Sequence, residues 1–175
     1  MGKIRDSHPA KLIIGLIFRN EQVFNKAKTL LEKQFGKADF ISPAFPFTHT
    51  DYYKAEFGSD LKRRFLSFKK LIGPHQLPRI KLRANSIEKK LSKGGRRLIN
   101  IDPGYLDMAK LILASTKDYC HRIYLDKGIY AETTLIYRDK SFIPCEWTYL
   151  DYSSPGYIGI FNSIREIYAC QTGIK

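Results

Sequence analysis

A chain of 175 residues falls within the span of one domain, and its 43% hydrophobic fraction, with 11 Tyr and 11 Phe, sets it apart from disordered basic tails. Lys and Arg number 30 against 17 Asp and Glu, a formal charge of +13, which makes nucleic acid, nucleotides and anionic lipid heads the candidate partners. Cys120, Cys145 and Cys170 form neither a disulfide framework nor a zinc knuckle, and the apolar run at 12–18 is too short to cross a bilayer, so the expectation is a cytoplasmic protein without membrane insertion.

The first predicted element is a buried strand over 10–18, short, β-branched and preceded by Pro9. A helix follows at once. Asn20 is placed to cap it, Glu21 suits its first turn, Val23, Phe24, Ala27, Leu30, Leu31 and Phe35 recur at helical spacing, and Gly36 stands where it ends. Residues 37–47 read as extended, with Pro43 and Pro46 placing them at an edge, and 51–57 as the returning strand. Ser59 opens a second predicted helix over 59–72, with Leu61, Phe65, Phe68 and Ile72 on one face and Lys62, Arg63, Arg64, Lys69 and Lys70 around the rest. Residues 79–84 read as extended again, which completes the split βαβ order of a ferredoxin-like unit. Asn85 and Glu88 have capping-box spacing before a short basic helix that stops near Gly94-Gly95.

The second half reads as an antiparallel meander. Residues 96–101 form a strand, Asp102-Pro103-Gly104-Tyr105 a type II turn, and 110–115 a further strand. A hairpin pairs 120–125 with 129–137 around Asp126-Lys127-Gly128, and 142–149 adds another strand. Tyr157, Ile160, Phe161, Ile164, Ile167 and Tyr168 describe a closing amphipathic helix. The expected fold class is α+β, a ferredoxin-like βαββαβ first half followed by a β-meander and a C-terminal helix, in a single domain over 1–175 with packed halves at 8–84 and 85–175.

No G-x-x-x-x-G-K-[ST], G-x-S-x-G, H-E-x-x-H or G-x-G-x-x-G occurs, which argues against a standard P-loop NTPase, a nucleophile-elbow hydrolase or a zincin. Chemistry therefore rests on clusters. If 48–56 is extended, His49, Asp51 and Tyr53 share a face, and an imidazole and a carboxylate could share a proton or a metal; the competing reading is a turn in which Asp51 bonds its own backbone. In the hairpin, a three-residue loop pairs Leu125 with Ile129 and sets Arg122 opposite Glu132, whereas a two-residue loop would dissolve that pairing. Arg122, Tyr124, Tyr130, Glu132 and Thr134 then share one face. His121, Ile123, Leu125, Ile129, Ala131 and Leu135 share the other, which reads as the core face. Arg122 either forks a phosphate or simply pairs with Glu132, and His121 is either a core histidine or a proton carrier at a cleft edge. Asp102 leaves a strand end, and Lys117 adds charge just past another.

The spaced elements His49-Thr-Asp-Tyr-Tyr, Asn85-x-x-Glu88, Asn100-Ile-Asp-Pro-Gly-Tyr105, Lys117-x-x-x-His121-Arg-Ile-Tyr-Leu125, Gly128-Ile-x-Ala-Glu132 and Trp147-Thr148 resemble a prokaryotic family, domain-of-unknown-function family 4416, over nearly the whole chain. The resemblance implies a single-domain protein and supplies no reaction. Some members carry the label "GTP-binding protein", which implies GTP as one ligand among several. The functional expectation is a protein that binds a phosphate-bearing ligand, a nucleotide such as GTP or an RNA end, in a polar cleft between the halves. Arg122, Lys117, His121 and Tyr53 would hold the ligand, while His49, Asp51, Asp102 and Glu132 would transfer protons or coordinate a divalent ion. The alternative is a non-catalytic RNA- or ribosome-associated module using basic helix faces at 59–72 and 86–93.

Overall fold

The apolar run near the start organises everything else. In the computed structural model, which describes residues 2–48 and 53–174, it forms β1 (Lys11–Phe18), buried at every position because both of its faces are covered. The remaining strands are β2 (Ala38–Ile41), β3 (Phe45–Pro46), β4 (Lys62–Phe68), β5 (Ile99–Leu106), β6 (Lys110–Ser115), β7 (Arg122–Asp126), β8 (Ile129–Arg138) and β9 (Ser141–Pro144). They join one antiparallel sheet in the order β2-β4-β1-β5-β6-β8-β7, with β3 beside β4 and β9 beside β8. The helices are α1 (Glu21–Phe35), the single turn α2 (Lys54–Phe57), α3 (Leu77–Lys90) and α4 (Pro155–Thr172), so the fold is α+β with a C-terminal helix.

Alternation along β1 sorts the core into two layers. Leu12, Ile14, Leu16 and Phe18 face α1 and α3, against Phe24, Leu31, Ile80 and Ala84, while Ile13 faces α4 with Phe65, Leu113, Leu135, Tyr157, Phe161 and Ile164. α1 begins and ends as its sequence predicts. Asn20 Oδ1 accepts from Gln22 N at 2.7 Å, and Gly36, at φ 94°, closes the last turn. α4 is capped by Ser154 and starts on Pro155.

Four of the predicted elements are overturned. The segment 59–72 is not a helix, since β4 occupies Lys62–Phe68 between β2 and β1. Its cations do not share one solvated face: Lys69 and Lys70 are exposed, but Arg63 is buried, and Arg64 lies over the Phe24 ring at 4.5 Å while pairing with Glu21. Pairing with a central strand outweighs the accidental helical spacing of its apolar residues. Residues 79–84 are not extended but lie inside α3, with Pro78 in its first turn, where a missing N–H costs nothing; Asn85 is therefore mid-helix rather than a cap. Residues 102–105 are no turn either, since they lie within β5. Pro103 is tolerated there because β5 pairs with β6 only from Gly104 onward. The described part of 51–57 holds α2 instead of a strand, and β4 is the strand that returns beside β2.

The hairpin keeps its predicted pairing by an unpredicted route. Its loop is the two residues Lys127 and Gly128, at φ 53° and 73°, and Leu125 is bulged, so that Arg122 still opposes Glu132. A second bulge follows in β8. Leu111 pairs with Leu135 and Ile112 with Thr133, which leaves Thr134 extra and turns both Glu132 and Leu135 toward α4. The predicted core face of β7 is reversed: Ile123 is 72% exposed, while Arg122 and Glu132 are buried. α3 packs on β5, β6 and β8 and leaves the Ile123 side of β7 uncovered, whereas residues 145–152 close over the other side. Of the strand predicted over 142–149, β9 keeps only Ser141–Pro144, and the chain then leaves the sheet to form that cover.

Candidate functional site

β7 and β9 both lie along one edge of β8, and between them two β8 carbonyls face no strand. Side chains of the covering segment take their place. Trp147 Nε1 donates to Thr133 O at 2.8 Å and Thr148 Oγ1 to Thr134 O at 2.5 Å, which fixes the indole by its only polar atom. The Trp147 ring lies flat against His121, with centroids 5.2 Å apart and planes 9° apart, and His121 in turn stacks on Tyr119 at 6.0 Å and 21°. Tyr149 completes the wall. Tyr119, His121, Arg122, Trp147 and Tyr149 line an open cleft of about 320 Å³.

Beneath the rings sits a buried ion cluster. Arg122 donates from Nε to Glu132 Oε2 at 2.8 Å, from Nη1 to Ser115 Oγ at 2.9 Å and Lys117 O at 3.1 Å, and from Nη2 to Tyr149 Oη at 3.2 Å, and its Nη2 also lies 2.7 Å from Glu132 Oε2 in the ion pair. A guanidinium has five N–H groups, and four of them make these hydrogen bonds. Burial works against the Arg122 charge, but Glu132 and Tyr149 outweigh it and hold its pKa above the ordinary guanidinium value. Both Glu132 oxygens are partnered as well, since His121 Nε2 lies 3.1 Å from Oε2 and Thr134 Oγ1 3.2 Å from Oε1. Arg122 therefore pairs with Glu132, one of the two readings its sequence allows, and holds the cleft in shape. Burial, reinforced by the nearby Glu132 charge and outweighing a hydrogen bond with Thr148, pushes the Cys145 thiol above its ordinary value, an environment that disfavours the thiolate.

A second polar network centres on Arg63 of β4. Arg63 reaches Asp151 at 3.2 Å, Tyr152 Oη at 3.4 Å and Asp102 at 3.6 Å, and Gly15 makes room for it, since a Cβ there would lie 2.8 Å from Arg63 Nη1. Burial opposes the charge on Arg63, yet Tyr152, Asp151 and Asp102 raise its pKa above the usual range. The stretch of β5 before Gly104 has no strand on its β6 side, and α3 caps it: Lys81 Nζ donates to Ile101 O at 3.0 Å and Glu88 Oε1 accepts from Ile101 N at 2.5 Å. Arg97 then ties Glu88 and Asn100 to Glu56. The two networks meet through three residues of chain, for Tyr149 binds Arg122 and Asp151 binds Arg63.

Glu88 yields a pH prediction. Burial, outweighing Lys81 and Arg97, raises its pKa above the ordinary glutamate value. A raised folded value means that its contribution is fully present below the unfolded pKa and is lost as pH rises through the folded one. Glu88→Gln keeps an acceptor for Ile101 N and is expected to remove that decline, whereas Glu88→Ala strands the amide and costs about 1–3 kcal/mol at every pH. Urea denaturation between about pH 4 and pH 8 checks it; a Glu88→Gln curve parallel to wild type contradicts it.

The predicted site residues divide. His121, Arg122, Glu132 and the Lys117 backbone come together in the cleft, whereas Asp102 belongs to the Arg63 network. Tyr53 stacks on Phe57 at 5.4 Å in a small core with Ile17, Phe47 and Leu61. His49 and Asp51 lie outside the described residues, among which no group of three or more His, Cys, Asp and Glu side chains could hold a metal ion. Tyr119, Trp147 and Tyr149 escape sequence reasoning, although a lone tryptophan within the motif-like Trp147-Thr148 pair is a signal that could have singled one of them out. No helix among the described residues is long and apolar enough to cross a membrane. No curated protein and no solved structure matches the chain. The family described as "Domain of unknown function (DUF4416)" matches residues 8–168, which is nearly all of the fold laid out above, and the chain belongs to it.

Proposed function

We propose that the protein binds a nucleotide, or the unpaired end of an RNA, by stacking a base in the cleft of Tyr119, His121, Trp147 and Tyr149. The observation that carries this reading is the aromatic stack: Tyr119, Trp147 and Tyr149 are 51%, 41% and 51% exposed, yet Trp147 and Tyr149 are pinned by hydrogen bonds. Exposed aromatics held rigid over a buried charge cluster lose little entropy when a planar ring joins them, and every base offers a π-face. The charge of +13 draws the polyanion in. Because the Arg122 guanidinium is engaged by Glu132, Ser115, Lys117 and Tyr149, stacking rather than phosphate clamping leads recognition. The reading is one of binding, and no bond-making step is assigned. A ferredoxin-like reading of the first half is supported by the order β2-β4-β1-β5 and by α1 and α3 lying on one face of those strands.

The test is the affinity for short labelled single-stranded RNAs and for mononucleotides. Trp147→Ala or Tyr119→Ala is expected to weaken binding by about 1–3 kcal/mol for each base stacked, roughly five- to 150-fold, while Trp147→Phe retains most of it. Unchanged affinity in a folded Trp147→Ala protein sinks the reading.

A further inference from the structure

We infer that the outer face of α1 and α3, on the side of the sheet opposite the aromatic cleft, is a second and independent site that takes the phosphodiester backbone of a nucleic acid. Arg79, Arg83 and Lys90 fall at i, i+4 and i+11 with Ser86 between them, a single stripe along α3, and all four are exposed. The stripe continues into the tight turn after the helix, where Lys93 and Arg96 oppose each other across Gly94 and Gly95, at φ 57° and 77°. Like charges directly opposite on a two-residue loop repel. Nothing within the described residues neutralises them, since none of these cations has a carboxylate partner there.

The local acids are spent elsewhere. Glu88, the one carboxylate of α3, is buried against Ile101 N, and on the neighbouring α1 Glu21 is bound by Lys62 and Arg64 and Glu32 by Lys28. Lys26 and Lys33 of α1 stay exposed and extend the positive field sideways. The opposite layer differs: the 18 residues of α4 contain one cation and one anion, Arg165 and Glu166. A face that was charged only for solubility would mix both signs. Instead α1 and α3 together carry eight cations against three anions, and at 1.5 Å per residue the span from Arg79 to Lys90 is about 16 Å, roughly five phosphates of one strand at 3.4 Å each. A membrane surface is the weaker fit, because Leu82, at 37%, is the only large apolar side chain exposed on either helix and offers no apolar strip to insert.

The proposal does not rest on the cleft reading, and a blunt-ended RNA duplex with no unpaired base separates the two. Anisotropy of the labelled duplex, titrated between about 50 and 200 mM salt, is expected to give log K against log salt a slope near −0.9 per phosphate contacted, or about −4 to −5. Arg83→Glu/Lys90→Glu, on exposed positions and with unchanged melting, should lower affinity at least about tenfold at low salt and flatten the slope by about 2, while Trp147→Ala leaves duplex binding as it was. A double variant that binds like wild type, a slope shallower than about −1, or tighter binding to phosphatidylserine vesicles than to duplex at equal phosphate overturns the proposal. So does loss of duplex binding in Trp147→Ala, which would place the contact in the cleft.

Discussion

Replacing Arg122 by Ala is expected to lower the unfolding free energy by about 3–5 kcal/mol, because it leaves the buried carboxylate of Glu132 without its main partner. The same change frees the Ser115 hydroxyl, the Lys117 carbonyl and the Tyr149 hydroxyl, so the wall of the cleft should loosen along with the core beneath it. Arg122→Lys should recover only part of the loss, since one ammonium cannot reproduce a planar fork serving four acceptor atoms. Neutralising the stranded acid should help more. In urea unfolding, Arg122→Ala/Glu132→Gln is expected to be more stable than the sum of the two single changes, with a coupling of about 1–3 kcal/mol. A cost below about 1 kcal/mol for Arg122→Ala would mean that the pair behaves as a solvated ion pair, and the cleft would lose its rigid floor.

Gly104→Ala is the second large effect. Gly104 joins the halves, pairing with Ile13 of β1 on one side and Leu113 of β6 on the other. An added Cβ would sit 2.3 Å from Ile112 O and 2.8 Å from Leu113 Cδ2, and the first of these is backbone that cannot rotate away. Overpacking at such a place should cost about 3 kcal/mol or more, lowering Tm by roughly 6–12 °C in a protein of this size. Gly159→Ala is the control, since it lies in α4 with nothing within 4 Å of the new methyl, and a gain of about 0.5–1 kcal/mol is expected there. Equal melting temperatures for the two variants would contradict the close packing of β5 on β6.

How much of this was legible in the sequence depended on whether local rules and tertiary contacts agreed. α1 was legible because its cap, apolar spacing and terminal glycine all act within the helix itself. The Arg122–Glu132 pairing was legible too, although it survives only because the bulge at Leu125 offsets the shorter loop. β4 was not, because Leu61, Phe65 and Phe68 sit at helical intervals and its arginines look solvated until Asp151 and Glu21, distant in sequence, are found beside them. Pro78 hid the start of α3, and Pro103-Gly104 imitated a turn inside β5, because a proline marks a break only where its missing N–H would otherwise have a partner. Which face of β7 is buried could not be read from alternation at all. That depends on what covers each side, and the cover comes from residues 145–152. The cleft residues likewise come from segments before, within and well after the hairpin, so no single motif contains them.

The most direct test of base stacking uses the protein unaltered, because its single tryptophan is the one in the cleft. Intrinsic fluorescence is recorded while mononucleotides and short single-stranded RNAs are added, with inorganic phosphate as the baseless control. Stacking on Trp147 predicts saturable quenching by ligands that carry a base and none by phosphate. Saturable RNA binding, seen independently by anisotropy, that leaves the Trp147 emission unmoved would contradict the account.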